Sequence, residues 1–393
     1  MDNNNVIYGI NGPVVTVRNT KMCIRDRPNC FPCDRGVMTV LSTLSSNVVL
    51  AKARAMYGRR LTDEDYAAML KFRTVGEVAS FLKKSSRYSM ELASVDESTV
   101  HRGYLELLLR QKLFDDYASL CRYELTIGEQ FSKYIIKKGE IEELLSCLRL
   151  LHAGRLREYL LSFPSFFTKY IHFDLYALAK VSDYDEFLEA LSGTEYRGIL
   201  EKFHPKKGKL LDFTAIENAL YTNLYQEFFS IIRHHAPRAT RKELLDLLGS
   251  YIDLENVTRI VRLKHFYNSS PEAIRSVLLP FSYHISDKLQ NRMLNADTSD
   301  DVKKILREDS NYRRSMTRYE ERNIDEIAIR VRFDQCLRAL RFSIHPPVVM
   351  LTYLFLSEIE LQNIINIIEG IRYKLPSKEI MELLVGYHTM GKG

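Results

Sequence analysis

The chain has 393 residues, a length that suggests two or three domains or one domain built from repeats. Apolar residues make up 46% and charged residues 27%, values typical of a folded globular protein and unlike those of disordered or collagen-like chains. The net charge of +6 is spread along the chain, which weighs against nucleic-acid binding, and only 17 Gly and 11 Pro favour an all-α fold.

No segment has the pattern of a membrane span or a signal peptide. The longest nearly uninterrupted apolar stretch, residues 348–356, is much shorter than the roughly 20 residues that a spanning helix needs. The N-terminus lacks the basic, apolar and small-residue regions of a secretory signal. We therefore expect a chain that does not cross the membrane and whose six cysteines are thiols in a reducing cytoplasm.

The first 37 residues differ in kind from the rest. Residues 6–17 form a strand-like run with a Gly-Pro turn signal, whereas nearly everything after Met38 has helical periodicity. The run resembles the opening strands of the catalytic A subunit of V/A-type ATPases, and residues 22–27 resemble a translated adapter from sequencing-library preparation. We predict that residues 1–37 are a foreign or poorly ordered head, an artefact of a chimeric gene sequence. Cys30 and Cys33 form a CxxC with no second pair, so a zinc or redox site is not expected.

The body after the head repeats one pattern three times. Each copy has a Thr or Asp that can cap a helix, an acid three residues later, apolar residues at offsets 4, 7 and 8, and a Tyr 13 or 14 residues after the cap. From cap to tyrosine the copies are Thr74–Tyr88, Asp183–Tyr196 and Thr298–Tyr312. Each copy predicts a short amphipathic helix docked on a larger body, with its apolar offsets buried and its tyrosine hydroxyl in water.

A second marker follows each copy: an acid, an aliphatic residue and a Glu, at 140–142, 253–255 and 358–360. Each marker opens a long apolar-periodic stretch, and a solvated helix start explains it better than a catalytic pair of carboxylates. The two markers together predict three helical repeats, approximately 38–163, 164–279 and 280–393. Linkers are predicted at 163–164, in the basic loop 204–208 and at 271–280. Such units tend to pack with pseudo-symmetry, as a ring or funnel.

We find no catalytic, cofactor-binding or metal site in the sequence. His234 and His235 are adjacent, so they point about 100° apart on a helix and suit a helix end better than a metal. His345 is expected in a loop before the last helices. Buried thiols are predicted at Cys121, Cys147 and Cys336, and solvated helix ends at the basic clusters 137–138, 206–209 and 313–314. The phosphate-binding pattern GxxxxGK[ST] is absent, so we expect no directly bound nucleotide and no cofactor.

From about Val40 to Val385 the chain resembles the C subunit of archaeal and bacterial V/A-type ATPases, a relative of the vacuolar ATPase d subunit. The resemblance rests on residues 51–56, 61–66, the three cap-helix copies, 216–221, 253–262 and 353–360.

The resemblance implies three similar helical subdomains around a pseudo-threefold axis, shaped as a funnel or socket. It implies a non-catalytic central-stalk subunit, peripheral to the cytoplasmic side of the membrane. One end would contact the membrane rotor ring and the other would receive the shaft subunits D and F, so that torque passes during proton or sodium transport or ATP synthesis. Two other interpretations stay open: a helical-repeat adaptor for protein partners, with open ends, and an enzyme, for which the sequence shows no reactive centre.

Overall fold

The computed structural model describes residues 35–85, 87–124, 127–205, 211–320 and 322–387, the side chains of 35–46 and 161–162 excepted. The chain divides into two compact units, Met1–Leu41 and Ser42–Gly393. Of the first unit only 35–41 are described, and they are helical. The strand-like run, the adapter-like segment, the CxxC and the lysines at 206, 207 and 209 lie outside the described residues. The packing and the contacts described below belong to the second unit.

Every regular element among the described residues is a helix, which confirms the all-α prediction. The helices are α1 (Arg35–Gly58), α2 (Asp63–Met69), α3 (Val75–Lys84), α4 (Arg102–Cys121), α5 (Gly128–His152), α6 (Leu175–Leu178), α7 (Tyr184–Ala190), α8 (Glu195–Leu200), α9 (Phe213–His235), α10 (Arg238–Tyr267), α11 (Pro271–Ser276), α12 (Asp287–Leu294), α13 (Ser299–Glu308), α14 (Arg313–Arg318), α15 (Ile324–Phe342), α16 (Pro346–Arg372) and α17 (Ser377–Glu382). Two 3-10 helices cover Leu156–Ser162 and Glu201–Phe203. The segment 271–280, predicted as a linker, contains α11, which begins at Pro271 because proline suits a first helical turn.

The three predicted cap helices are α3, α7 and α13. Thr74, Asp183 and Thr298 each accept a hydrogen bond from the backbone N–H three residues later, as predicted. The residues at offsets 4 and 8 are fully buried in all three copies: Val78 and Leu82, Phe187 and Leu191, Val302 and Leu306. The offset-7 residues, Phe81, Ala190 and Ile305, are only half-buried, so the prediction that they are core was wrong. They lie at the edge of the helix face, where Phe81 contacts the ring of Phe72.

Three long helices, α5, α10 and α16, each contain one acidic marker well inside the helix. The marker acids Glu140, Asp253 and Glu360 are buried, so the prediction of solvated helix starts was wrong. The pattern predicted a helix that opens at Glu140, whereas α5 already begins at Gly128 because the residues before the marker also form helix.

Each long helix shares an apolar core with one cap helix. The second half of α16 packs with α2 and α3, while the second half of α10 packs with α12, α13 and α14. Helix α5 packs with α6, α7 and α8 within the largest core. The cap helix nearest the N-terminus therefore packs against the long helix nearest the C-terminus.

Helix α16 is long and apolar enough to span a membrane by length and composition alone. However, 89% of its most apolar window is buried inside the protein. The central helix of a folded core has the same properties.

Candidate functional site: three buried clasps and a charged cleft

A cap helix and its flanking residues form what we call a module: residues 61–88, 172–196 and 283–312. One marker carboxylate on each long helix accepts hydrogen bonds from one module, and we call this arrangement a clasp. In each clasp the carboxylate accepts one bond from the tyrosine at the end of the module and at least one from a backbone N–H near its start. The tyrosine bonds are Tyr196–Glu140 at 2.6 Å, Tyr312–Asp253 at 3.1 Å and Tyr88–Glu360 at 2.6 Å. Each clasp thus pins two points of a module to the middle of a long helix.

The Glu140 clasp joins α5 to the segment before α6. The fully buried Glu140 carboxylate accepts a bond from the backbone N–H of His172 at 2.7 Å and lies 2.8 Å from His172 Nδ1. Tyr196 supplies the third contact, and burial together with Glu140 raises the pKa of the Tyr196 hydroxyl far above its usual value. The tyrosine hydroxyl therefore stays protonated and acts as a donor.

The Asp253 clasp joins α10 to the segment before α12, and among the described residues no cation pairs with its carboxylate. The Asp253 carboxylate accepts backbone N–H bonds from Tyr283, His284 and Ile285 at 2.9, 2.7 and 3.3 Å, besides the bond from Tyr312. Burial raises the pKa of Asp253 above its usual value, although these hydrogen bonds oppose the change.

The Glu360 clasp joins α16 to the first module. Glu360 accepts the backbone N–H of Leu61 at 3.0 Å and forms an ion pair with Arg87 Nε at 2.9 Å, with both side chains almost fully buried. Burial opposes the charge on Arg87, yet Glu360 raises the pKa of the guanidinium well above its usual value. The same guanidinium donates to Ser357 at 3.0 Å.

These contacts correct two expectations from the sequence. The three markers were aligned in the sequence by their first acid, which is Glu358 in the third marker. The residue that forms the third clasp is instead the last acid, Glu360. The tyrosine hydroxyls were expected in water, but Tyr88, Tyr196 and Tyr312 are each at most 3% exposed and donate to carboxylates. The last two tyrosines follow their acids by 56 and 59 positions, and this similar spacing was the signal that could have suggested two of the three pairings. Arg87 lay outside the repeat pattern and was missed.

A cleft of about 810 Å³ lies among α4, α5, α9 and α16. Charges of both signs line it: Arg102, Arg110, Lys138 and Arg149 with Glu106, Glu142, Glu143, Glu217 and Glu358. Aromatic rings from Phe114, Phe166, Phe167, Tyr159 and Tyr221 provide apolar wall. A lining with both charges and rings suits contact with a mixed polar and apolar protein surface.

Ion pairs fix several of the cleft's charged side chains. Glu358 pairs with Lys138 and, at 3.0 Å, with Arg332 Nη2. Burial would raise the pKa of Glu358, but the two cations lower it overall, so the carboxylate is charged at neutral pH. Lys138 and its neighbour Lys137 were predicted to be solvated helix ends. Instead both lie inside α5 and pair with carboxylates of other helices, Lys137 with Glu195 at 2.6 Å.

Glu143 is a second cleft carboxylate, and its pKa is shifted in the opposite direction to that of Glu358. Its Oε2 accepts a hydrogen bond from Tyr159 at 2.5 Å, while burial raises the pKa of the carboxyl. The two pKa values shift in opposite directions because Glu358 has two cationic partners, whereas the partner of Glu143 is the neutral hydroxyl of Tyr159.

The remaining residues considered from the sequence lie where they were expected. His234 and His235 are exposed at the end of α9, and His345 directly precedes α16. Cys121, Cys147 and Cys336 are buried thiols. Across the described ranges, no three His, Cys, Asp or Glu side chains are grouped so that they could hold a metal ion.

The sequence profile of the family described as the ATP synthase (C/AC39) subunit matches residues 49–383. That range includes all three cap helices, all three long helices and every clasp residue. The chain belongs to the ATP synthase (C/AC39) subunit family.

Two relatives support this family membership. The C subunit of the A-type ATP synthase of Archaeoglobus fulgidus is 22% identical over 344 residues, which cover 86% of this chain and 95% of that protein. The C subunit of the A-type ATP synthase of Methanosarcina mazei is 27% identical over 242 residues, covering 60% of this chain and 64% of that protein. The first of these relatives thus matches the body of the chain nearly from end to end.

Proposed function

We propose that the chain is a non-catalytic central-stalk subunit of a V/A-type ATPase or ATP synthase. In this role it joins the membrane rotor ring, on the cytoplasmic side, to the shaft formed by subunits D and F, and it transmits torque between them. The observation that carries the proposal is the family match over residues 49–383, together with relatives named as the C subunit of an A-type ATP synthase.

The clasps support a mechanical role because a torque coupler must resist deformation. Close-packed helical interiors have low compressibility, and each clasp adds a buried carboxylate with three or four contacts between a module and a long helix. Breaking such a contact leaves a buried charge without its donors, which costs far more than breaking a bond in water.

The Glu360 clasp favours this role over an adaptor with open ends. Leu61 and Glu360 are 299 positions apart in sequence, and their hydrogen bond joins the first module to the last long helix. In an open solenoid each repeat contacts only its neighbours, so such a bond is not expected.

The first experiment is co-expression of the full chain with the ring and shaft subunits, followed by purification through a tag on the ring. We expect D and F to co-purify with the ring only when this chain is present. Recovery of the shaft without the chain, or absence of the chain from the purified ring, would contradict the proposal.

A pair of charge reversals tests whether the cleft is one of the contact surfaces. Arg149 lines the cleft, whereas Arg157 is exposed outside it and serves as the matched control. Arg149→Glu should reduce recovery of one partner, while Arg157→Glu should leave both unchanged. Equal recovery with both variants would exclude the cleft as a contact surface.

A further inference from the structure

The turn between α15 and α16 presents two large apolar side chains. Phe342 is 76% exposed and Ile344 is 75% exposed, while Ser343 between them is buried. The turn is held in place because the Ser343 hydroxyl donates to Glu243 at 2.6 Å and Arg54 Nη2 donates to the Ser343 carbonyl at 2.7 Å. The two apolar side chains are therefore displayed by a fixed turn.

Four exposed cations lie on the helix ends beside this turn. Arg338 and Arg341 lie in the last turns of α15, and Arg238 and Lys242 lie in the first turns of α10, next to Glu243. Within the described residues none of the four forms an ion pair with a carboxylate. The nearby Glu243 contacts Ser343 and, at 3.5 Å, His345. The turn is thus bordered by an excess of positive charge.

Exposed apolar side chains with cations nearby match the boundary layer of an anionic lipid leaflet. Such a surface offers phosphates to the cations and acyl chains to the apolar side chains. A protein partner would more often meet a well-packed pocket at the centre of an interface, whereas these two side chains lie on a single turn and are each about three-quarters exposed. Charge complementarity and the exposure of the two apolar side chains therefore both favour lipid.

We propose that the turn patch, consisting of Phe342, Ile344, Arg238, Lys242, Arg338 and Arg341, binds anionic phospholipid headgroups. This inference rests on the proposed function, which places the chain beside a membrane. Two apolar side chains and four cations form a weak contact, so the patch would orient the protein on the membrane and leave stable attachment to protein partners.

Vesicle co-sedimentation with the purified full chain tests the proposal. The probes are phosphatidylcholine vesicles with and without phosphatidylglycerol, at low and high ionic strength. We expect binding only to vesicles that contain phosphatidylglycerol, with loss of binding as salt screens the charges.

Three variants identify the groups responsible for binding. Arg238→Gln with Lys242→Gln should weaken binding by about thirtyfold, because two cations near the anionic surface are lost. Phe342→Ser with Ile344→Ser should also weaken it, by about tenfold or more, through loss of apolar burial. The matched control is Phe266→Ser with Tyr267→Ser, a pair 71% and 75% exposed at the end of α10, which should bind as the unchanged chain does.

Circular dichroism and thermal unfolding verify that each variant is folded, and Ile344→Ser alone replaces the double variant if that one is not. Absence of binding by the unchanged chain, or equal binding by all variants, would overturn the proposal. Binding to immobilised polyglutamate but not to vesicles would assign the patch to an acidic protein and also overturn it. The vesicle assay contains no ring or shaft, so its result is separate from that of the co-expression experiment.

Discussion

The Glu360 and Asp253 clasps hold equivalent modules by two different electrostatic arrangements. Glu360 is neutralised by the buried guanidinium of Arg87 at 2.9 Å. Asp253 has no cation within its clasp and depends on three backbone N–H groups and the hydroxyl of Tyr312. A buried carboxylate can thus be satisfied by a charge or by several aligned dipoles, and the two solutions differ in what happens when one partner is removed.

The largest effect is expected from Glu360→Ala. This change leaves the Arg87 guanidinium buried without its counter-ion, so the free energy of unfolding should fall by about 4 kcal/mol. Equilibrium urea denaturation measures the loss. Glu369→Ala on the same helix is the control, because its ion pairs with Arg102 and Arg372 are partly exposed and should contribute under about 1 kcal/mol. Equal losses from the two variants would show that the Glu360 pair is not desolvated.

Equivalent buried leucines in the first and third modules should contribute equally to the free energy of unfolding. Leu82 and Leu306 occupy the same offset in their cap helices and are both fully buried. Leu82→Ala and Leu306→Ala should each lower the free energy of unfolding by about 3 kcal/mol through cavity formation. Phe81→Ala is the comparison at the half-buried position and should cost only about 1 kcal/mol. A loss at Phe81 as large as that at Leu82 would restore the core position first expected for it.

Asp253→Asn tests the clasp without a cation. The amide has one oxygen for four donors and brings an NH2 group toward them, so the substitution should cost about 2 kcal/mol. Burial raises the pKa of Asp253 in the folded chain above 3.8, its pKa in the unfolded chain. As pH rises above 3.8, the unchanged chain therefore loses stability relative to the variant. The cost of the substitution should therefore be largest at acidic pH and smaller at neutral pH.

Denaturation of both chains from acidic to neutral pH measures the gap between their free energies of unfolding. Asp287→Asn, at an exposed position on α12, is the control and should show a small gap without that trend. A gap that widens as pH rises would mean that the folded protein stabilises the Asp253 carboxylate.

The smallest effects are expected at the clasp tyrosines. Tyr88→Phe and Tyr312→Phe each remove one donor to a buried carboxylate and should cost about 1.5 kcal/mol. Thermal unfolding by calorimetry measures both, with Tyr373→Phe as the control because Tyr373 is 71% exposed. If Tyr312→Phe had no effect, the three N–H donors would be sufficient for Asp253 and the clasp would not need its tyrosine.

Features set by neighbouring residues could be predicted from the sequence. The caps at Thr74, Asp183 and Thr298 and the buried offsets 4 and 8 follow from helix geometry within a few residues. Predictions that concerned distant partners were less successful. Lys138 was assigned to solvent because its sequence neighbours are polar, but its partner Glu358 lies on α16, 220 positions away.

The limits of the repeats at 163–164 and 279–280, and their pseudo-threefold arrangement, stay predictions. The cleft was not predicted at all, because its lining comes from four helices and from the segment 159–167, which are spread over the sequence. Single side chains such as Arg102 and Glu358 carry no local sign that they face a common space.

The sequence by itself determined the helices, their caps, the three copies of the cap pattern and the resemblance to the family, because each depends on residue order over short spans. Only the tertiary structure decided which long helix each module would dock on and which acid of each marker would be buried. The tyrosine and the acid of a clasp are 56, 59 or 272 positions apart. Their pairing depends on packing between whole helices, and a buried carboxylate is stable only where that packing brings its donors into place.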